Sequence, residues 1–356
     1  MLKTKGKKVF VGVSGGVDSS VSLALLQEEG YDVTGVFIKT WQPEWIECTW
    51  RDERRDAMRV CALLRVPFVT LDLEKEYKEG VADYMISEYR AGRTPNPDVM
   101  CNKEVKFGGF LDWALENSAD YIATGHYTRN EAREGRQRIL EGKDKNKDQS
   151  YFLWTLTQKQ LKHTLFPIGD IPKPKVRKLA EKFELPTAEK KDSQGVCFIG
   201  EIDMKDFLGH YIDEKVGDVL NTDGEIIGSH NGAFFLTIGE RHGFTISKKG
   251  TEDKALFVVS KNIEKNTVTV SERLVEARPL PEEKDEELQA GYTKEISLIK
   301  TNWIPSSYPP FGKDFEARIR YRGERHKCTF LQVRDDTALV VFEKPVWGVS
   351  AGQSLV

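Results

Sequence analysis

Residues Val9 to Ser20 read VFVGVSGGVDSS, and no other stretch limits the fold as strongly. Apolar β-formers lead into Ser14-Gly15-Gly16, and the chain then runs into a helix-forming segment, Val21 to Glu29. Strand, tight turn and helix N-terminus follow in that order. Adjacent glycines take backbone angles closed to other residues and let a ligand approach the main chain. The N–H groups of a first helical turn, at the positive end of the helix dipole, form an anion site. Asp18, Ser19 and Ser20 are all N-cap types. A phosphate group is the expected guest. The loop is not of the Walker A kind, which needs a Lys directly after its glycines to reach the terminal phosphates, and no Lys stands there. Without a ligand, the same glycine pair would merely turn the chain.

A chain of 356 residues exceeds one ordinary core, so two or three domains are expected. With 39% hydrophobic and 31% charged residues it reads as a globular protein with no membrane-spanning run. The basic start Met1 to Lys8 lacks the apolar core of an export signal, because polar and glycine residues interrupt from Ser14. Five scattered cysteines argue for a reducing cytoplasm and against a disulfide framework, and without a Cys-x-x-Cys pair no metal site is expected. The net charge of −3 hides a segregated distribution. Lys143 to Lys178 holds nine Lys/Arg against three acids, Lys313 to Lys327 six against three, and Glu282 to Glu287 five acids and one Lys. Such segregation suits a polyanion partner, and equally a solvated face.

Along the chain, strands are expected at Tyr31 to Lys39, Pro67 to Leu71 and Tyr121 to Thr124, with helices at Arg51 to Leu64 and Tyr77 to Arg90. This alternation predicts a doubly wound parallel sheet, a Rossmann-like α/β domain, with ligands at the carboxyl ends of its strands. The loop at Ser14, the segment after Ile38 and the Gly125-His126 turn would meet there. Two prolines stiffen Arg93 to Lys103, Asn102 could cap a helix Lys103 to Asn117, and Cys101 would sit just before that helix, where a thiol is acidified. Asp98 is a candidate proton acceptor or donor; a buried inert Cys101 is the competing reading. Cys197 lies between glycines beside Lys190 and Lys191, again a setting that favours thiolate. Beyond about Phe207 short strands at Glu225 to Ile227, Ala255 to Val259 and Thr267 to Val270 form a β-rich module. Glu272 to Glu287 reads as a linker, and strands at Glu316 to Tyr321, Lys327 to Arg334 and Ala338 to Phe342 suit a small β-barrel. In Ala317 to Arg322 three arginines alternate with other residues. On one strand face they would stand about 7 Å apart, near a phosphate spacing; charges guarding an edge strand are the plainer reading. The domains are placed at 1–204, 205–278 and 288–356.

Together the strings SGGVDSS, GRTPNPDVMCNKEVKF, ATGHYTR, NKDQSYFL and KKDSQGVCFIG resemble the bacterial-type tRNA-specific 2-thiouridylases, within the PP-loop ATP pyrophosphatases (adenine nucleotide alpha hydrolase-like). The resemblance runs from about Lys7 to Leu355. It implies an enzyme that adenylates the C2 carbonyl of the wobble uridine in tRNAs for Lys, Glu and Gln, using ATP with Mg2+, and then inserts sulfur. By the same resemblance Gly12, Val13, Ser14, Gly15, Gly16, Val17, Asp18 and Ser19 would hold the ATP phosphates, with Ile38 and Gly125 on the adenosine. Asn96, Pro97 and Asp98 would line the pocket for the flipped base, Asp98 as acid/base. Cys197 would carry a persulfide loaded by a donor protein, and Cys101 would release the product through a transient Cys101–Cys197 disulfide. His126, Lys147, Asp148, Gln149, Arg320, Tyr321 and Gln353 would meet tRNA. A monomer in the cytoplasm is implied. Gln194 and Val196 replace the commoner Thr and Ile, both mild departures, whereas Glu240 and His242 replace Gln and Arg or Lys, which removes positive charge from an expected RNA surface. The chain stops at Val356, where relatives usually continue for another strand or so, so the last barrel is expected to be incomplete or to close differently. The alternative is another PP-loop enzyme that adenylates a small molecule and needs neither cysteine.

Overall fold

A computed structural model describes residues 6–46, 50–191, 204–247, 255–272 and 291–356. They fall into two compact units that interleave along the chain: 1–83, 97–202 and 302–308 in one, and 84–96, 203–301 and 309–356 in the other. Cys48, Cys197 with Gln194 and Val196, and the expected linker beyond Glu272 lie outside the described residues.

The first unit opens with β1 (Lys8–Gly12), α1 (Val17–Glu28), β2 (Asp32–Lys39), α2 (Trp50–Leu64), β3 (Phe68–Asp72) and α3 (Glu74–Tyr77). After a π-helical turn at Lys78–Asp83 comes α4 (Tyr84–Arg90), which belongs to the second unit. The first unit resumes with α5 (Pro97–Met100), π-helical Cys101–Gly109, α6 (Phe110–Glu116) and β4 (Tyr121–Ala123). A hairpin of β5 (Thr128–Arg133) and β6 (Arg136–Glu141), then α7 (Gln158–Lys162), β7 (Thr164–Leu165) and α8 (Lys173–Lys182) complete it. Its sheet has the order β3-β2-β1-β4-β7, with every pairing parallel. Val9, Val11, Val36 and Ile122 are wholly shielded, which a sheet covered on both faces requires. Burial of each such side chain contributes about 1.5–3 kcal/mol. α1 lies so deep that Ser19, Ser20 and Ser22 are buried too. Ser20 Oγ donates to Gly16 O at 2.7 Å and Ser22 Oγ to Asp18 O at 2.8 Å, so neither hydroxyl is left without a partner.

Three expectations are corrected here. The N-cap of α1 is Gly16, not Asp18, Ser19 or Ser20, which occupy the first turn with two hydroxyls bonded back to Gly16 O. The helix holding Cys101 starts at Pro97 rather than after Asn102, because proline's fixed φ suits the first helical position. Cys101 therefore lies a turn inside the helix, fully shielded. The arginines of 318–322 are not on a strand: the second unit's edge strand ends at Ala317, and Arg322 turns the chain with φ of 59°.

The second unit contains α9 (Met204–Gly209) and the strands β8 (Gly217–Leu220), β9 (Ile226–His230), β10 (Phe244–Ile246), β11 (Leu256–Asn262) and β12 (Thr267–Glu272), ordered β10-β9-β8-β12-β11. A second sheet joins β13 (Tyr292–Leu298), β14 (Asp314–Ala317), β15 (His326–Arg334) and β16 (Thr337–Trp347) as β13-β16-β15-β14. The first of these sheets closes on Val219, Leu236, Val258, Val268 and Val270. At its margin Lys261 Nζ donates to Leu236 O at 2.7 Å. Burial pulls the Lys261 ammonium down to about 8 from 10.5, with Glu240 opposing the shift. A lysine depressed in the folded state binds fewer protons there than when unfolded, so stability rises with pH between about 8 and 10.5. In Lys261→Met that rise should disappear from the denaturant midpoint measured across this window.

Candidate active site

The first unit's phosphate loop is held open by its own hydrogen bonds. Ser14 N–H donates to Ser19 Oγ at 3.2 Å, and Ser19 Oγ donates to Gly16 O at 3.2 Å. Val13 N–H continues the β1–β2 ladder to Val36 O at 2.8 Å. Gly15 has φ of 74°, and a Cβ there would overlap the carbonyl oxygen of Glu53 on α2. A Cβ on Gly125 would lie 2.7 Å from Ser19 N and 2.9 Å from Asp18 C. Main chain therefore meets main chain at the helix N-terminus, and nothing larger than glycine fits either place. Ile38, at the end of β2, is 6% exposed. A strand end, an amide-lined turn and the N-terminus of α1 make a cradle that fits a nucleotide's phosphates.

A lysine distant in sequence stands at the loop. Lys173, the first residue of α8, donates Nζ to Asp18 Oδ1 at 2.7 Å and Oδ2 at 2.8 Å. Tyr127 OH donates to the same Oδ1 at 2.7 Å. Tyr127 is itself clasped by Gln149, whose N–H donates to Tyr127 O at 2.9 Å and whose Oε1 accepts from Tyr127 N–H at 2.9 Å. A second lysine, Lys190, reaches Asp56 Oδ2 at 2.8 Å, on the same helix as Glu53. Burial raises the Glu53 carboxyl above its usual range, opposed by Lys190 and aided by Asp56. Lys173 and Tyr127 escaped sequence reasoning, and Lys190 was singled out only as a neighbour of Cys197. The available clue was the missing loop lysine itself, which left a charge to be supplied by one of the basic segments.

The helix carrying Asp98, Cys101 and Asn102 packs against this cradle. Phe110 lies 3.5 Å from where a Gly12 Cβ would be, and Phe107 stacks on His126 with ring centroids 5.7 Å apart. Asn102 Nδ2 donates to Phe152 O at 3.2 Å, which ties the Cys101 turn to the segment after Gln149. Asp98 stands in the first turn of α5. His126, expected to face tRNA, is 7% exposed; its Nδ1 lies 2.7 Å from Thr124 Oγ1, and burial holds its pKa well below 6.5, aided by Lys106. Asp148 is 4% exposed and accepts from Gly142 N–H at 2.8 Å and Ser150 Oγ at 2.9 Å. Of that string, Lys147 is half-buried. The stem leading toward Cys197 is anchored in the same unit, where Arg177 donates to Ala188 O at 2.8 Å and Lys190 O at 2.6 Å.

In the second unit Arg320 donates to Ile238 O and Gly348 O, fastening the unit's two sheets, and the Arg322 guanidinium lies 5.1 Å from the Tyr321 ring centroid. Gln353 Nε2 donates to Thr94 O at 2.8 Å, on the approach to Asn96 and Pro97. Cys61 and Cys328 are buried, and burial raises both thiols, Cys61 to about 11, as inert packing residues require.

Three family models cover most of the chain: a tRNA methyl transferase HUP domain at residues 7–201, a tRNA methyl transferase PRC-barrel domain at 205–272 and an aminomethyltransferase beta-barrel domain at 293–356. The chain is 45% identical over 352 residues to the tRNA-specific 2-thiouridylase MnmA of Bacillus velezensis, covering 98% of this chain and 91% of that protein. It is 43% identical to the protein of the same name from Bacillus subtilis, over 98% and 91% of the two chains. The Nitrosococcus oceani protein of that name is 43% identical, with 98% and 93% covered. Strand, glycine cradle and both cysteine strings thus sit in one continuous, full-length likeness, and the chain belongs to the tRNA-specific 2-thiouridylase family.

Proposed function

We propose that the protein is an ATP-dependent tRNA-uridine 2-sulfurtransferase acting on the wobble uridine of tRNAs for Lys, Glu and Gln. The observation that carries this reading is the packing of the Cys101 helix on the glycine cradle, through Phe110 at Gly12 and Phe107 at His126. An amide-like oxygen is a poor leaving group; joined to the α-phosphate of ATP, with pyrophosphate expelled, it leaves as AMP. Gly12 to Ser19 hold the phosphates, Mg2+ enters with them, and Ile38 and Gly125 border the adenosine. Lys173, gathered at the loop by Asp18, supplies the positive charge that a Walker lysine supplies elsewhere.

Asn96, Pro97 and Asp98 line the pocket for the flipped base, with Asp98 moving the proton. The terminal sulfur of a Cys197 persulfide attacks C2, and the C2–O bond breaks as AMP departs. The Cys101 thiolate then attacks the Cys197 sulfur, so that the S–S bond to the base breaks, a Cys101–Cys197 disulfide forms and 2-thiouridine is freed. A cellular thiol reduces the disulfide, and a donor protein reloads Cys197. Cys197 is seven chain steps beyond Lys190, a reach of at most about 25 Å from a stem held beside the cradle. Lys147, Arg320, Tyr321 and Gln353 serve RNA binding, with Asp148 and Gln149 shaping the loop that presents Lys147. The protein works as a cytoplasmic monomer.

Loss of 2-thiouridine from the tRNA of cells lacking this gene, read by nucleoside mass spectrometry, is the expected result; unchanged 2-thiouridine contradicts the reading. In vitro, Cys197→Ser and Cys101→Ser should each abolish turnover while ATP and tRNA affinities stay within about twofold. A full rate of thiolation in Cys197→Ser removes the persulfide step.

A further inference from the structure

The last residues of the chain form a strap across the loop that precedes Asn96. Thr94 N–H donates to Ala351 O at 2.8 Å. In return, Gln353 Nε2 donates to Thr94 O at 2.8 Å and to Pro95 O at 3.3 Å. Between them, Gly352 has φ of 95°, and a Cβ on it would lie 2.8–2.9 Å from three backbone atoms of Thr94. Thr94 is 8% exposed and Ser350 6%. From the other side Thr94 Oγ1 donates to Thr237 Oγ1 at 3.2 Å, and Arg93 grips Glu88 with two hydrogen bonds of 2.6 and 2.7 Å. Every main-chain polar group of Thr94 and Pro95 is therefore spent on the strap. Pro95 and Pro97 have fixed φ, and each restricts the residue before it to extended backbone, so a shift at Thr94 passes along a stiff segment to Asn96.

We propose that residues 350–353 set the position of the base-binding loop, with Gly352 and Gln353 as positioning residues for Asn96. The inference rests on the reading of Asn96 as a pocket residue and extends it: Gln353 serves catalysis through the loop carbonyls, whatever contact it also makes with RNA. Two backbone carbonyls presented to one amide form a built socket. A misplacement of about 1 Å at a reacting base costs on the order of 100-fold in rate.

The test uses the full-length enzyme carrying Gln353→Met, which keeps the side chain's shape but removes its donors, Gln353→Glu, and Gly352→Ala. All three should lower kcat for thiolation by about 10- to 100-fold, and in Gly352→Ala, which leaves the Gln353 side chain in place, the tRNA Kd should change less than threefold. ATP-analogue affinity should not move, which marks the variants as folded. Hydrogen exchange on the RNA-free protein should show the Thr94 amide protected in the wild type and at least tenfold faster in Gly352→Ala. This second readout needs no tRNA, so it stands even if the wild type failed to thiolate. Wild-type kcat in Gln353→Met, a loss confined to tRNA affinity, or unchanged Thr94 exchange in Gly352→Ala each overturns the proposal.

Discussion

Replacing Lys173 with Met should slow ATP-dependent pyrophosphate release by about 10²- to 10³-fold, the usual consequence of losing one positioned charge at a developing anion. Lys173 Nζ makes two short bonds to the Asp18 carboxylate, and its side chain is only 11% exposed against 31% for Asp18. Breaking a fully buried pair costs about 3–5 kcal/mol; with Asp18 partly open to water, about 1–3 kcal/mol is expected. The two effects separate in the double variant Asp18→Asn/Lys173→Met. Removing both charges leaves no uncompensated ion, so the melting temperature should return toward wild type while activity does not. Pyrophosphate release at the wild-type rate in the single variant would show that Lys173 serves the fold alone.

Gly125→Ala should all but abolish nucleotide binding. The added methyl meets Ser19 N at 2.7 Å and Asp18 C at 2.9 Å, both main chain, so no side-chain rotation relieves it. The first turn of α1 must move, and its N–H groups with it. Overpacking of this kind costs about 1–3 kcal/mol of stability, and affinity for a non-hydrolysable ATP analogue should fall at least 100-fold by calorimetry. Gly135, where a Cβ meets nothing within 4 Å, provides the control: its φ of 76° makes Gly135→Ala strained but should leave nucleotide affinity unchanged. Wild-type affinity in Gly125→Ala contradicts the assignment of the cradle.

The parts legible in the sequence are those fixed by neighbours along the chain. The strand, glycine pair and helix of Val9 to Glu28 follow from local apolar runs and turn chemistry, as do β2, α2 and β3. Errors arose where one local rule overrode another. Pro95 and Pro97 give Arg93 to Lys103 the pattern of a stiff loop, yet proline's missing N–H is harmless at a first helical turn. The arginines of 318–322 had the alternation of a strand, but left-handed Arg322 and the backbone pairing of Arg318 with Val356 place them in a turn. Asp18 resembled a cap because its partner is 155 residues away in Lys173, and no local pattern announces such a pair. The strap of Gln353 on Thr94, 259 residues apart, was hidden for the same reason.

The central event is transfer of an adenylyl group to the O2 of a uridine in RNA, and isotope labelling reads it directly. A tRNA carrying 18O at O2 of the wobble uridine would be incubated with the enzyme, ATP and a persulfide donor, and the products weighed by mass spectrometry. One 18O-labelled AMP for each 2-thiouridine formed is the predicted result. Unlabelled AMP accompanying thiolation, or 18O retained in the nucleoside, contradicts it.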